Sequence, residues 1–421
     1  DIIYSPSDLT QFLSSPFASW MNHLSLIEPE IKLHKNTKDL MTELLAHKGN
    51  LHEKKLLQTF KSKGLGIVDV SLSEHPEDTT LCAMRSGVDV IFQAHLSLVP
   101  FKGKADFLIK VPGESNLGDY HYEIWDTKLS KTMKPHFVIQ VCAYSEMLSK
   151  WQGMLPAMFS IVLGDNQRKN FLTENYFYYY QQAKKSFLIF HELFNEREMP
   201  NPADSTSFGD WSEYAEKLLL DADDLSQTAT ITRSQIKKLK ADGIKTFTEL
   251  ASTNIEKIKN LQMDIFSRLK SQARIQMESK GHFIPKYKIL IPKIGEDIGL
   301  ALLPKASEAD VFFDIEGYPL IDGGLEYLWG STYFKNGERK YIDFWAHDHE
   351  EEKKCFQSFI HWVYKRWVDN PKMHIYHYAN YEIAACKKLM SRYGICEYEV
   401  DQLLRNNVFV DLYRIVKTGL L

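Results

Sequence analysis

The chain is poor in the features that would tie it to zinc sites, disulfides or membranes. Five cysteines, Cys82, Cys142, Cys355, Cys386 and Cys396, are scattered with no CxxC pair. Neither a zinc site nor a disulfide framework is suggested, and reduced, partly buried thiols are expected. No apolar run approaches the roughly 18 residues that a membrane span needs. The start, DIIYSPSDL, lacks a charged segment followed by an apolar one. Together these absences predict a cytosolic (cytoplasmic) protein with no membrane partner. A GxxxxGK(S/T) loop is missing, which excludes a P-loop nucleotide site in these residues. Positive charge is not in excess: 51 Lys and Arg against 55 Asp and Glu give a net charge of −4. That balance argues against nonspecific coating of nucleic acid and leaves local basic patches to steer a polyanion. An initiator Met is absent and VKTGLL, the last residues, falls inside a helical pattern, so a longer polypeptide is expected.

What is present is charge in apolar company. The stretch GKADFLIKV (103–111) is followed, after a polar loop, by YHYEIWDTKLS (120–130). Both read as strands of one hairpin. Asp126 and Lys128 are two apart and so share a strand face, and the hairpin brings Asp106 beside them. Phe107, Ile109, Ile124 and Trp125, between them, are bulky and apolar. Each charge taken singly is a solvent-facing residue; the joint pattern puts charges on buried-looking strands, where an unpaired charge is costly. Two carboxylates suit Mg²⁺ or Mn²⁺, and a lysine beside them can orient water or neutralise charge developing on a phosphodiester. Such a set belongs to metal-dependent nuclease chemistry. Lys131 and Lys134, in KLSKTMKPH, form a basic run that can track a phosphate backbone or equally begin a solvated helix.

The length allows two or three domains with separate cores. SPSDLTQFLSSPFASWMNHL opens with a capping box, with Ser5 as N-cap, Pro6 at the first helical position and Asp8 at the third. A second amphipathic pattern stops at Gly64 and carries His52. The β-rich runs GIVDVSL and VDVIFQAHLSL precede the motif strands, and Pro135 starts a helix with Gln140 and Tyr144 at i, i+4. The strand AMFSIVLG and the run NYFYYY complete an α/β unit; the tyrosines read as core aromatics on a strand, with a base-stacking platform as the alternative. EMPNPADST (198–206) has linker composition. Residues 207–282 read as helical, with a tight turn at Gly243 and Ile244. That turn fits a helix-hairpin-helix, whose amides and neighbouring lysines such as Lys245 hold phosphates without reading bases. Residues 283–308 are a Pro- and Gly-punctuated connector, and residues 309–421 a second α/β domain.

Residues 1–200 resemble the RecB-type branch of the PD-(D/E)xK nucleases, which have a restriction-endonuclease-like α/β fold. Gly49 to His52 fits the family's G-x-x-H, Gly103 to Asp106 its G-x-x-D, Asp126 and Lys128 its D-x-K, and Gln140 and Tyr144 its QxxxY helix, all in the family's chain order. The resemblance implies that His52, Asp106 and Asp126 hold metal and that Lys128 assists the attacking water. It gives Gln140 and Tyr144 a role in positioning DNA or supporting the site. His52 alone would be an ordinary surface histidine. Many relatives bind an iron–sulfur cluster through one cysteine near the first helix and three after the core. Ser15 stands at the first of these positions and no cysteine lies between Tyr180 and Cys355, so no iron–sulfur cluster is expected.

A second candidate site centres on VFFDIEG, where Asp314 and Glu316 alternate on a strand. It resembles the first motif of the DEDD exonucleases of the ribonuclease H-like fold, whose two-metal mechanism needs four carboxylates. Glu382 in IYHYANYE is the third candidate, where that family more usually has Asp, and Asp411 in VFVDLY a weaker fourth. The last family carboxylate is expected beyond Leu421, which would leave this domain incomplete. A structural α/β domain with incidental acids is the bland alternative. The whole order resembles the RecB-like nuclease proteins of bacteria, in which it precedes a superfamily I helicase. That resemblance implies DNA, single-stranded by preference, and a helicase in the same polypeptide as partners. The rival readings are a non-catalytic nucleic-acid-binding scaffold and an enzyme whose activity resides in the second domain.

Overall fold

A computed structural model describes residues 2–37, 40–321 and 323–421. The chain forms two compact units, 1–227 with 231–247, and 228–230 with 248–421. Both are mixed α/β.

The first unit opens with α1 (Pro6–Ser14) and α2 (Pro16–Ile27). Ser5 and Asp8 exchange the hydrogen bonds of the capping box, and Ser15 caps α2 by accepting the Ala18 N–H at 3.0 Å. There follow α3 (Leu40–Ser62), β1 (Ile67–Asp69), α4 (Pro76–Arg85), β2 (Val90–Leu98), β3 (Phe101–Ser115), β4 (Gly118–Thr127), α5 (Pro135–Gln152), β5 (Met158–Val162), β6 (Arg168–Leu172) and α6 (Glu174–Glu192). The six strands make one sheet in chain order. β2, β3 and β4 pair antiparallel, and β4 runs parallel to β5 across the crossover helix α5. Both faces are covered. α5 packs Val141 and Leu148 into a core with Leu108, Ile124, Phe159 and Ile161. α3 sets Leu57 and Phe60 against Phe92 and Phe107.

The aromatic run NYFYYY lies on the helix α6, not on a strand. Tyr180, Ala183, Phe187 and His191 are its buried residues, at the i, i+3, i+7, i+11 spacing of one helical stripe, and that periodicity outweighs the β preference of the tyrosines. Tyr180 donates to Glu146 Oε2 at 2.6 Å, while Tyr178 and Tyr179 are 79% and 65% exposed. The core reading holds for one of the three consecutive tyrosines.

Three helices, α7 (Ser212–Asp221), α8 (Arg233–Ala241) and α9 (Phe247–Ser252), come next, with Gly243 at φ +92° in the turn between α8 and α9. The second unit then contains α10 (Met263–Ser279), β7 (Val311–Tyr318), β8 (Leu325–Lys335), β9 (Glu338–Trp345), α11 (His349–Asp369), β10 (Ile375–His377), α12 (Tyr381–Tyr393), α13 (Glu397–Arg405), β11 (Phe409–Asp411) and α14 (Leu412–Gly419). Its sheet runs β11-β10-β7-β8-β9, parallel through the first three and antiparallel beyond β7. Phe313 stacks on Phe359 of α11, with ring centroids 4.1 Å apart, at the centre of its core. The helical pattern at VKTGLL ends at Gly419, and Leu421 and Lys288 exchange backbone hydrogen bonds at 3.0 Å.

Two candidate carboxylate sites

In the first unit the site is built where the β3–β4 ladder gives way. Phe107 pairs with Trp125. Beyond that pair, the N–H and Oγ1 of Thr127 both donate to Asp106 Oδ2 at 2.7 Å, so a side chain takes over from the ladder. Across β2, Asp106 stands opposite Gln93, which has φ +56°. Side-chain alternation changes there: Ala105 joins the α5-side core and Phe107 the α3-side one. Just past the end of β4, the Lys128 N–H bonds to Val162 O of β5 at 2.9 Å, which fixes the base of the lysine.

Lys128 Nζ lies 2.7 Å from Asp126 Oδ2 as an ion pair. That ammonium is the partner of the buried oxygen, which receives no other hydrogen bond. Burial, with Asp106 adding and Lys128 opposing, pushes Asp126 up to about 7. Burial works to lower Lys128, but Asp126, Asp106 and Glu53 outweigh it and hold the ammonium above its ordinary value.

The sequence reading missed Glu53. Burial, then Asp106 and Asp126, push it up to about 7 against Lys104 and Lys128, and Gln93 Nε2 donates to its Oε2. This α3 carboxylate shares the electrostatic field of the strand residues. His52, one residue earlier, is buried with Nε2 3.5 Å from Val162 O. A signal existed: Glu53 precedes the buried Leu57 and Phe60 by four and seven residues, so it is a charge on the apolar stripe of its helix.

Gln140 and Tyr144 reach the site from α5. Tyr144 is buried, and burial followed by Asp126 and Asp106 raises its hydroxyl; Gln140 and the backbone of Lys104 are its hydrogen-bonding partners. Gly103 is demanded by packing. A Cβ there would stand 2.8 Å from Tyr144 Cε1 and 2.9 Å from Pro6 Cδ, both atoms of rings that cannot yield locally. Gly103→Ala is expected to cost about 1–3 kcal/mol by overpacking. A urea melt reads it, and an unchanged midpoint would refute the close-packing argument. Lys131 and Lys134 are exposed, and Lys128 and Lys134 place their ammonium groups 5.4 and 6.0 Å from the Phe137 ring centroid. Ser15 donates its hydroxyl to the buried Ser205 at 3.0 Å.

In the second unit, Asp314 and Glu316 are exposed on β7, and Glu382 is buried in the first turn of α12. Asp314 is raised by burial and by the carboxylates of Glu382 and Glu316, while the Ile315 N–H works the other way. Asp314 and Glu382 therefore belong together. His377 Nδ1 lies 3.4 Å from Glu382 Oε2, and neither that oxygen nor either ring nitrogen has an aligned hydrogen-bond partner. Asp411 serves the backbone instead. Its Oδ1 accepts the N–H groups of Ala379 and Tyr413, both at 2.9 Å, which caps α14 and ties down the β10–α12 turn. Gly317 carries no Cβ because one would meet Tyr381 Oη at 2.0 Å. The neighbouring buried Glu326 is fully engaged, with Tyr381 at 2.6 Å and Lys388 at 2.9 Å.

Among the described residues, no three His, Cys, Asp or Glu side chains form a ready cage for a metal ion. The donor sets nevertheless fit a hard divalent cation, since each site presents carboxylate oxygens, among them the buried Asp126 Oδ2, whose partner is the Lys128 ammonium, and the buried Glu382 Oε2. No described helix is long and apolar enough to cross a membrane. Residues 311–421 match the family model of the RNase_H superfamily, so the second unit carries a ribonuclease H-like domain, a class that points to nuclease-type hydrolysis of nucleic acid with divalent metal. No curated protein matches the chain.

Proposed function

We propose that this chain is a divalent-metal-dependent nuclease acting on DNA, single-stranded by preference, with a cutting site at Glu53, Asp106, Asp126 and Lys128 in a RecB-type PD-(D/E)xK domain. The observation that carries the reading is the convergence of three carboxylates and a lysine in one buried field. Glu53, Asp106 and Asp126 would hold Mg²⁺ or Mn²⁺, whose chemistry is to acidify water and polarise a phosphoryl oxygen. Lys128 orients the attacking water and offsets the charge that develops on the phosphate. Gln140 and Tyr144 support the site from α5, and Lys131 and Lys134 take the backbone phosphates. His52, a ligand in the family pattern, ranks behind Glu53 here because its Nε2 is turned to Val162 O. The turn at Gly243, with Lys245, is proposed as a helix-hairpin-helix-like grip on phosphates. The proposed domain plan remains 1–200, 207–282, 283–308 and 309–421, with a superfamily I helicase as partner.

The RNase_H match favours a second reading, in which Asp314, Glu316 and Glu382 form a further cutting site. Asp314→Ala is expected to leave most Mn²⁺-dependent cleavage intact, because the proposed cutting site lies in the first unit and Asp411, the further carboxylate near this second site, has its Oδ1 engaged by two backbone N–H groups. In calorimetry with Mn²⁺, Asp126→Asn should remove one binding event and Asp314→Asn a different one. Cleavage that survives Asp126→Asn but is lost in Asp314→Ala would move the activity to the second unit.

A further inference from the structure

A cleft of about 510 Å³ opens in the first unit between α1, the start of α5, α6 and residues 206–209. Nothing in the proposed chemistry uses it. None of its lining side chains is acidic, in a chain with 55 acidic residues, so a polyanion can enter without like-charge repulsion. Two flat rings, His136 and Tyr179, line it, and Tyr179 is 65% exposed, a large ring left open to contact. The hydroxyl protons of Thr10 and Thr206 are committed to the carbonyls of Ser7 and Ser14, both at 2.9 Å. Their oxygens therefore offer lone pairs, which suit the N–H groups on base edges. Those edges are free in an unpaired strand and consumed in a duplex.

The cleft is walled by elements that also border the first carboxylate site. Its wall residue Ile139 precedes Gln140 on α5, and Ser7 follows Pro6, the residue against Gly103. Lys128 and Lys134 both act electrostatically on His136. We propose that this cleft seats an unpaired nucleic-acid strand entering the Asp106–Asp126–Lys128 site, with bases stacked on Tyr179 and His136, base edges on the hydroxyls of α1 and residue 206, and phosphates toward Lys131 and Lys134. The direction of entry rests on the proposed nuclease reading; strand binding in the cleft does not.

The test uses the full chain in EDTA with mixed-sequence 4-thiothymidine DNA and 4-thiouridine RNA strands, cross-linked by near-ultraviolet light and mapped by peptide mass spectrometry. Cross-links to the peptides holding Tyr179 or His136 are expected, competed by unlabelled strand and not by duplex, and the strand type that cross-links more strongly names the natural ligand. Stacking is worth about 1–3 kcal/mol per base, so Tyr179→Ala should weaken strand binding about 5- to 150-fold. Its exposure makes misfolding no concern, and Thr10→Glu, which puts a carboxylate in the cleft, should weaken binding as well. Cross-links confined to other segments, competition by duplex, or parental cross-linking in both variants would overturn the proposal. Asp126→Asn separates the two ideas: cross-linking at Tyr179 with cleavage undiminished would sink the nuclease site and leave the strand seat standing.

Discussion

On the proposed nuclease reading, Asp126→Ala and Lys128→Ala are each expected to lower Mn²⁺-dependent cleavage of single-stranded DNA by at least about 100-fold, the usual loss when one preorganised electrostatic group is removed from a hydrolytic site. The two substitutions act differently. Asp126→Ala takes away the most deeply buried carboxylate of the cluster, whose Oδ2 has only the Lys128 ammonium as partner. Lys128→Ala removes the ammonium that lies 2.7 Å from Asp126, leaving three mutually repelling carboxylates with less compensation. A gel assay on a labelled oligonucleotide, with circular dichroism to check the fold, decides the matter. Parental rates in both variants would remove this cluster from the chemistry.

The second large effect is on stability. Asp126 and Glu53 stand at about 7 in the folded protein, against ordinary carboxylate values near 4 in the unfolded chain. The folded state therefore binds more protons, and its stability falls as pH rises through the folded value. The full stabilising contribution is present below about pH 4 and is lost by about pH 8. His191 works the other way. Burial, then His23, lower it to about 4, so its contribution grows with pH up to its unfolded value and is constant above. The window between about pH 6.5 and 8 thus isolates the carboxylates. In EDTA the melting temperature should drop across that window, by an amount corresponding to about 1–2 kcal/mol, since most of the loss falls between the unfolded and folded values. Mn²⁺ should restore it by binding the ionised form. Asp126→Asn should flatten the profile and stabilise the metal-free protein at pH 8. A melting temperature in EDTA that is constant from pH 6.5 to 8 would show that these carboxylates do not share a buried field.

What was legible before folding was whatever depends on neighbours in the chain. The capping box at Ser5 and Asp8, the start of α5 at Pro135 and the β3–β4 hairpin follow from caps, Pro positions and two-residue alternation, all properties of a short window. The pairing of Asp126 with Lys128, the residue just past the end of β4, is of the same kind, because residues two apart in extended chain share a face. So is the ribonuclease H-like strand with Asp314 and Glu316. Glu53 was not legible in that way. Its place beside Asp106 depends on how α3 lies on the sheet, which Leu57 and Phe60 decide by packing on Phe92 and Phe107, more than thirty residues away in sequence. The change of alternation at Asp106 is equally non-local, since it involves the left-handed backbone of Gln93 on the adjacent strand. Asp411 after an apolar strand reads alike as a metal ligand and as a cap; the Tyr413 N–H that it accepts lies two residues on, whereas the Ala379 N–H is brought close by the β10–β11 pairing. Local order in this protein follows from backbone geometry and side-chain period. Which carboxylates face one another, and which are spent on amides, was decided by long-range packing, because burial and mutual repulsion exist only once distant segments have met.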